Sequence, residues 1–158
     1  MDAITLLRND HRAVEKLFKA FEKAKSPEAR ADAVTQIIAD LSVHAVIEEQ
    51  VFYPLVRREV PDAEDMVLES LEEHHIVKWV LAELEAMSPD AEGFDAKVTV
   101  LMENVRHHVE EEEHELFPQV RGVLGRKRLS EMGDRMAELK TRAPKHPQPR
   151  QEVDRAAS

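Results

Sequence analysis

The chain has 158 residues, enough for one domain with a full core, and only 4% of them are aromatic and 4 are glycine, which favours an all-helical protein. It has 0 cysteines, which excludes disulfides, thiolate metal sites and thiol nucleophiles, and a net charge of −10, which argues against nucleic acid and anionic membranes as partners. We see no long apolar run and no signal peptide, and we therefore expect a soluble cytoplasmic protein.

The first predicted helix runs from Asp2, which can cap it, to about Lys25. Its apolar residues recur at steps of three and four, as on the buried face of an amphipathic helix. His11 occupies the one gap in that series. The apolar positions around the gap are Ile4, Leu7, Val14, Phe18 and Phe21.

A second helix is predicted from Pro27, with Ser26 as its N-cap, to about Val60. Pro54 predicts a kink late in this helix, because proline cannot donate to the carbonyl four residues back. His44 and Glu48 fill the gap in an apolar series made of Val34, Ile37, Leu41, Val51 and Leu55.

The third helix is predicted to follow a turn and cap at Pro61 and Asp62 and to end near Met87. His74 again occupies the gap in the apolar series. A loop with a serine, a proline, an aspartate and a glycine follows over residues 88–93. The inward positions around His74 are Val67, Val77, Leu81 and Leu84.

A fourth helix is predicted from about Phe94, with His108 and Glu112 in the gap of its apolar series, and with Gly122 and Gly125 at its end. After it, a short fifth helix over residues 126–141 can pack on the bundle. Its apolar residues are Leu129, Met132, Met136 and Leu139.

These elements predict one bundle with an accessory helix and a tail. We assign residues 1–125 to an up-down-up-down four-helix bundle and residues 126–142 to the accessory C-terminal helix. Residues 143–158 are rich in proline and charge, which is typical of a disordered tail.

The bundle is an internal duplication of a helical hairpin. His44 and His108 are each followed by a glutamate four residues later, and by an aromatic residue and a proline nine and ten residues later. The segment 10–14 also matches the segment 73–77. Because His11 and His44, like His74 and His108, lie at similar depths from the loop that joins their helices, all four histidines meet at one level of the bundle.

A layer of four histidines and two glutamates in a core predicts a metal site. A single buried histidine is most often a hydrogen-bonded core residue, but buried carboxylates cost several kcal/mol unless they are compensated. Metal ions supply that compensation. The candidate ligands are His11, His44, Glu48, His74, His108 and Glu112, whereas His75, His107, His114 and His146 lie off the apolar series and are expected at the surface.

Ligand chemistry narrows the choice of metal. Imidazole and carboxylate without sulfur suit iron, manganese or zinc, and six side chains are too many for one tetrahedral zinc. If Glu48 and Glu112 both bridge, each of two ions receives two nitrogens and two oxygens. A bridging oxo or hydroxo group would leave one position on each ion for a small ligand.

The pattern of His11, His44 with Glu48, His74, and His108 with Glu112 resembles the hemerythrin-like, or HHE cation-binding, family over about residues 1–120. The resemblance implies a four-helix bundle with a non-haem di-iron centre that meets O2, hydrogen peroxide or nitric oxide. It also implies that the six residues of this pattern are the metal ligands.

The chain departs from the oxygen-carrying members of that family in two places. They have a second histidine on the third helix where this chain has Lys78, and an aspartate on the fourth where it has Glu113. The loss of the fifth histidine disfavours simple O2 carriage. Tyr53 stands where the repeat has Phe117, and it is either a further residue near the metals or an ordinary core aromatic.

Three functional classes follow from this interpretation. The first is redox chemistry on a small oxidant, namely catalase-like disproportionation of hydrogen peroxide or reaction with nitric oxide. Such a protein would act under oxidative stress, and we expect it to be a monomer or a weak dimer. The second is an O2- or iron-binding or sensing module without turnover. The third is a structural metal bundle, which the vacant metal positions disfavour. We predict the first, and whether the chain is an enzyme stays open at this point.

Overall fold

The computed structural model describes residues 1–149, and residues 150–158 lie outside the described part of the chain. The first hairpin of the chain consists of two long helices whose second member contains a π-helical turn. Its segments are α1 (Ala3–Lys23), α2 (Pro27–Ile47), the first π turn (Glu48–Phe52) and α3 (Tyr53–Glu59).

The second hairpin repeats this arrangement after a short 3₁₀ turn at Pro61–Ala63. Its segments are α4 (Glu64–Ala86), α5 (Phe94–Glu111), the second π turn (Glu112–Leu116) and α6 (Phe117–Val123). Pairs α1–α2 and α4–α5 pack together, which gives the all-α four-helix bundle predicted from the sequence.

Helix α7 (Arg126–Lys140) is the predicted accessory helix, and it packs on α1, α2 and the first π turn. Gly133 permits this close approach, because a Cβ at that position would collide with the carbonyl oxygen of Met1. Residues 143–149 form no helix and approach α4, where His146 pairs with Glu85. The disorder expected for the rest of the tail falls outside the described residues. Of the four apolar residues named for α7, Leu139 is partly buried and the other three are fully buried.

Two hydrophobic clusters fill the bundle, one on each side of the histidine layer. The loop-end cluster includes Phe18, Ile37, Leu81 and Leu101. The other, beneath α7, contains residues from α1, both π turns, α3, α4 and α6, as well as α7, among them Ile4, Phe52, Tyr53, Leu116, Phe117 and Met132. The layer between the clusters is therefore shielded from water at both ends.

The two π turns are the main departure from the predicted helices. Each begins at the glutamate of a repeat and ends just before an aromatic–proline pair, so Pro54 follows a π turn rather than lying in one continuous α-helix to Val60. The amide of Tyr53 bonds the carbonyl of Glu48 five residues back, and Phe117 bonds Glu112 in the same way. The extra residue per turn brings two successive positions inward. The buried pairs are Phe52 with Tyr53 and Leu116 with Phe117.

The helix ends confirm some predicted caps and correct others. Asp2 accepts from the amide of Thr5 at 2.8 Å, and Ser26 caps α2 as predicted. Asp62 does not cap α4, because the 3₁₀ turn places Ala63 at that position without a side-chain bond. Gly122 lies inside α6 rather than ending it. None of the described helices is long and apolar enough to cross a membrane.

Candidate metal centre

All six predicted ligands meet in the layer between the two hydrophobic clusters. Every one of them is buried, and the side chains of Glu48 and Glu112 are 0% exposed. The rings of His11 and His44 lie 5.0 Å apart, as do those of His74 and His108, so the predicted common depth is confirmed.

The imidazole Nε2 atoms all face carboxylate oxygens at similar distances. His44 and His74 lie 3.0 and 3.2 Å from Oε1 of Glu48. On the other side, His11 lies 3.2 Å from Oε1 of Glu112, and His108 lies 3.4 Å from Oε2. Two groups of donor atoms can each surround one cation: His11, His44, Glu48 and Glu112 form the first, and Glu48, His74 and His108 form the second.

Several of these fully buried atoms form no hydrogen bond of good geometry, although most of them face an opposing nitrogen or oxygen atom at 3.0–3.2 Å. They are Nε2 of His11 and His44, both oxygens of Glu48, and Oε1 of Glu112. Buried polar atoms without partners cost free energy in a protein interior, and native structures rarely leave several of them together. A cation among them would satisfy all of these atoms at once. The donor set therefore fits metal ions.

The outer nitrogen of each histidine contacts a second carboxylate. Glu113 and Glu73 lie 2.6 and 2.7 Å from Nδ1 of His11 and His108, whereas Glu49 and Asp10 lie 2.8 and 3.1 Å from Nδ1 of His74 and His44. When Nδ1–H donates to a carboxylate, the lone pair of Nε2 is directed inward and becomes more basic. This arrangement is common around metal-binding histidines.

The charges of the cluster are coupled. Burial opposes protonation of His44, but the carboxylates of Glu48 and Asp10 outweigh it and raise its pKa to about 10. Burial would raise the pKa of Glu112, yet His108 and His11 hold that pKa well below its usual value. Without a cation, protons on imidazoles balance the buried carboxylates. Because metal ions and protons compete for the same imidazole nitrogens, cation binding would release these protons.

Tyr53 reaches the second group of donors. Its hydroxyl donates to Oε2 of Glu112 at 2.6 Å and lies 3.2 and 3.4 Å from Nε2 of His74 and His108. Burial, and then the charges of Glu112 and Glu48, raise the pKa of this phenol well above its ordinary value when no cation is present. Phe117, at the matching position of the repeat, instead stacks on the ring of His11 at 6.0 Å.

A cavity of about 30 Å³ lies against the four histidine rings. That volume exceeds the roughly 10–15 Å³ that one water needs, so the space suits a ligand of two or three atoms. Its other walls are mainly apolar, apart from the side chain of Lys78. These walls include Val14, Leu41, Val77, Leu81, Val105 and Val109.

Lys78 and Glu113, the two departures noted in the sequence, lie outside the inner donor groups. Lys78 does not contact the inner donors but bonds Oε1 of Glu49 at 2.8 Å. Oε2 of Glu113 lies 2.6 Å from Nδ1, the outer nitrogen of His11. The remaining histidines are exposed as predicted: His75, His107, His114 and His146.

The outer carboxylates are the functional residues that the sequence interpretation missed, apart from Glu113. A signal for them was present, because Asp10 and Glu73 directly precede the lone histidines of the two copies, and Glu49 and Glu113 directly follow the paired glutamates. The repeat therefore duplicates the second layer of contacts as well as the first.

Comparison with known proteins agrees with this geometry. The model of the hemerythrin HHE cation binding domain matches residues 2–120. A crystal structure of a hemerythrin HHE cation binding domain-containing protein from Mycobacterium kansasii has a TM-score of 0.75, covers 89% of this chain and 86% of that chain, and is 22% identical. At that identity the likeness shows the fold.

Two curated relatives have different names. A protein from Nostoc sp. named DNA nickase is 33% identical over 124 residues, which cover 78% of this chain and 35% of that protein. An uncharacterized hemerythrin-like protein from Schizosaccharomyces pombe is 25% identical over 141 residues, which cover 89% of this chain and 70% of that protein. The chain thus spans about a third of the length of the Nostoc relative.

Proposed function

Because the chain belongs to the hemerythrin HHE cation-binding domain family, we propose that it holds two non-haem iron ions and uses them to break down hydrogen peroxide. The observation that carries this proposal is the set of buried imidazole and carboxylate atoms that face one another in the core, several of them without a hydrogen bond of good geometry. A net charge of −10 disfavours a nucleic acid partner, so we propose no activity on DNA for this chain.

The six predicted residues are the proposed ligands. His11 and His44 would hold the first ion, His74 and His108 the second, and Glu48 belongs to both donor groups. Nitrogen and oxygen donors without sulfur suit iron, and they also accept manganese or zinc. Two ions, rather than one, are supported by the split of the six side chains into two groups.

Tyr53 is the proposed fourth donor of the second group. The first group has four side chains, whereas the second has three, and the Tyr53 hydroxyl lies within 3.4 Å of both histidine nitrogens of the second group. A bound cation would lower the pKa of this buried phenol, because it stabilises the negative charge of the phenolate.

The chemistry suits a small oxidant that exchanges two electrons. When bound, a pair of iron ions supplies a store for these electrons. In peroxide disproportionation, one molecule loses two electrons and two protons and becomes O2, while a second accepts them, breaks its O–O bond and becomes two waters. The chain contributes a cavity of about 30 Å³ that admits so small a molecule beside the histidine rings and leaves little space for water.

The same cavity supports a second candidate function. Its mainly apolar walls would also suit O2 or nitric oxide, as expected for a binding or sensing module without turnover. The two candidates share the metal centre and differ in whether the bound molecule reacts.

Hydrogen peroxide separates the two functions. We expect the oxidised, iron-loaded protein to release O2 continuously when it is mixed with hydrogen peroxide, as followed with an oxygen electrode. The metal-free chain serves as the control and should release none. A reduced protein that forms a long-lived oxygenated state, gives O2 back under vacuum and does not turn over peroxide would contradict our proposal and favour the binding module.

A further inference from the structure

The four outer carboxylates differ in a way that the repeat does not explain. Glu49 and Asp10 are buried, with side chains 7% and 11% exposed, whereas Glu73 and Glu113 are 29% and 27% exposed. The two buried carboxylates contact the Nδ1 atoms of His74 and His44, the histidines that face Glu48. The two more exposed carboxylates hold His108 and His11, which face Glu112.

Each buried carboxylate is paired with a lysine. Lys78 bonds Oε1 of Glu49 at 2.8 Å with a side chain only 12% exposed. Lys140, in the last turn of α7, pairs with Oδ1 of Asp10. In both cases the other carboxylate oxygen contacts the histidine, so the lysine, the carboxylate and the imidazole form a continuous chain.

The two more exposed carboxylates lack such a partner. Within residues 1–149, no lysine or arginine forms an ion pair with Glu73 or Glu113, although Arg8 and Arg12 act on Glu113 at longer range. The position in the first hairpin that matches Lys78 is Glu15, and it pairs with Arg106 at the surface instead.

The lysines have different origins. Lys78 lies within the second copy of the repeat, at a position where the first copy has Glu15, whereas Lys140 belongs to α7, which lies outside the repeat. Both neutralise a carboxylate on the Glu48 side of the layer. Neither counterpart on the Glu112 side is neutralised in this way.

We infer that Lys78 and Lys140 are positioning residues that set the reduction potential of the proposed iron centre from its Glu48 side. This inference rests on the proposed function. A carboxylate bonded to the outer nitrogen increases the basicity of a metal-binding imidazole and so favours the oxidised metal. A lysine on that carboxylate withdraws negative charge, weakens the effect and raises the potential.

A simpler alternative is that each lysine only compensates a buried carboxylate. Buried charges need a partner in any protein, and loss of the lysine would then lower stability without changing the redox centre. The reduction potential distinguishes the two explanations, because a purely structural ion pair would not change it.

The experiment is a spectroelectrochemical titration of the iron-loaded full chain and its Lys78→Met and Lys140→Met variants. We expect both variants to shift the reduced-to-oxidised ratio at a fixed potential towards the oxidised form. For Lys78→Met the expected shift is about tenfold, or about 59 mV for a one-electron couple. The shift should be smaller for Lys140→Met, because the Lys140 side chain is 44% exposed and its charge is better screened.

Two further variants control the experiment. Lys97→Met removes a lysine that pairs with Glu83, away from any of the four histidines, and should leave the potential unchanged. Lys78→Arg keeps the charge and should restore most of the wild-type value. Lys140 is sufficiently exposed for Lys140→Met to fold even if Lys78→Met does not.

Wild-type potentials in both metal-loaded methionine variants would overturn the inference and leave the proposed function standing. A wild-type protein that takes up iron but shows no redox transition would overturn the proposed function itself, and the role of the lysines with it. Iron content, measured in each sample, shows which of these cases applies.

Discussion

The first hairpin (α1–α3) and the second hairpin (α4–α6) agree closely at the metal layer and differ just outside it. Both supply two histidines, one glutamate that faces the histidine Nε2 atoms, two outer carboxylates, a π turn and a proline after that turn. Two of the positions that differ lie next to this layer. The first hairpin has Tyr53 where the second has Phe117, and it has Glu15 where the second has Lys78.

The comparison separates the features that metal binding requires from those that change the surroundings of the metal site. The hairpins share what the proposed pair of cations would need: inner donors, outer carboxylates that orient them, and a π turn that directs both an acidic and an aromatic residue inward. What they do not share changes the surroundings of the centre. Tyr53 places a hydroxyl beside one group of donor atoms, and Lys78 adds a positive charge to one side of the layer.

The largest expected effect comes from breaking either half of the layer. Removal of the metals should lower the free energy of unfolding by about 4 kcal/mol when the metal is present at about a thousand times its dissociation constant, because the ions bind only the folded chain. His44→Ala and His108→Ala should each lower metal content and melting temperature to a similar degree. The measurement is thermal unfolding of metal-loaded and metal-free samples.

His75→Ala is the matched control for these variants, because His75 lies next to a proposed ligand but is exposed. It should change neither metal content nor melting temperature. Equal melting temperatures for the metal-loaded and metal-free wild-type protein would contradict a buried metal centre.

A smaller effect is expected from the outer carboxylates, and it tests whether the two hairpins use them alike. Glu73→Gln and Asp10→Asn should each weaken metal affinity by about 10–100-fold, because each replaces the charged acceptor at the outer nitrogen of one histidine with a neutral amide and so lowers the basicity of that imidazole. Competition with a coloured chelator measures the affinity. Glu72→Gln removes an exposed neighbouring charge and should have no effect. An equal loss of affinity in all three variants would mean that the general charge of the chain, and not the direct contact of a carboxylate with a histidine, is responsible.

A change in stability smaller than that caused by metal removal is expected from making the two hairpins alike with Tyr53→Phe. The variant loses the hydrogen bond to Glu112, which should cost about 1–3 kcal/mol in the metal-free protein. If Tyr53 is a phenolate donor, the ferric wild-type protein should show a visible charge-transfer band that Tyr53→Phe lacks. Identical visible spectra would leave Tyr53 as a hydrogen-bonded core aromatic.

The sequence was sufficient for the fold and for the six inner residues, because both depend on short-range periodicity. His11, His44, His74 and His108 were visible as polar interruptions at matching places in four apolar series. The π turns were not predictable in this way, since α- and π-helical turns use the same residue types and differ in which carbonyl an amide reaches. The prediction at Pro54 therefore identified the place of a distortion but not its form.

The outer contacts needed the three-dimensional structure for another reason. Asp10 and Glu73 are identifiable as neighbours of histidines, but each bonds the histidine of the next helix along the chain, not the one beside it. The pairing of Lys140 with Asp10 joins residues 130 positions apart through α7. Such contacts depend on how helices pack, which local sequence patterns do not specify.

The metal content of the iron-loaded full chain tests the central claim most directly. We predict two iron ions per chain, determined by elemental analysis of protein that was purified, loaded anaerobically with ferrous iron and freed of excess metal. A well-folded sample that persistently holds a single zinc ion, or no metal, would contradict the account.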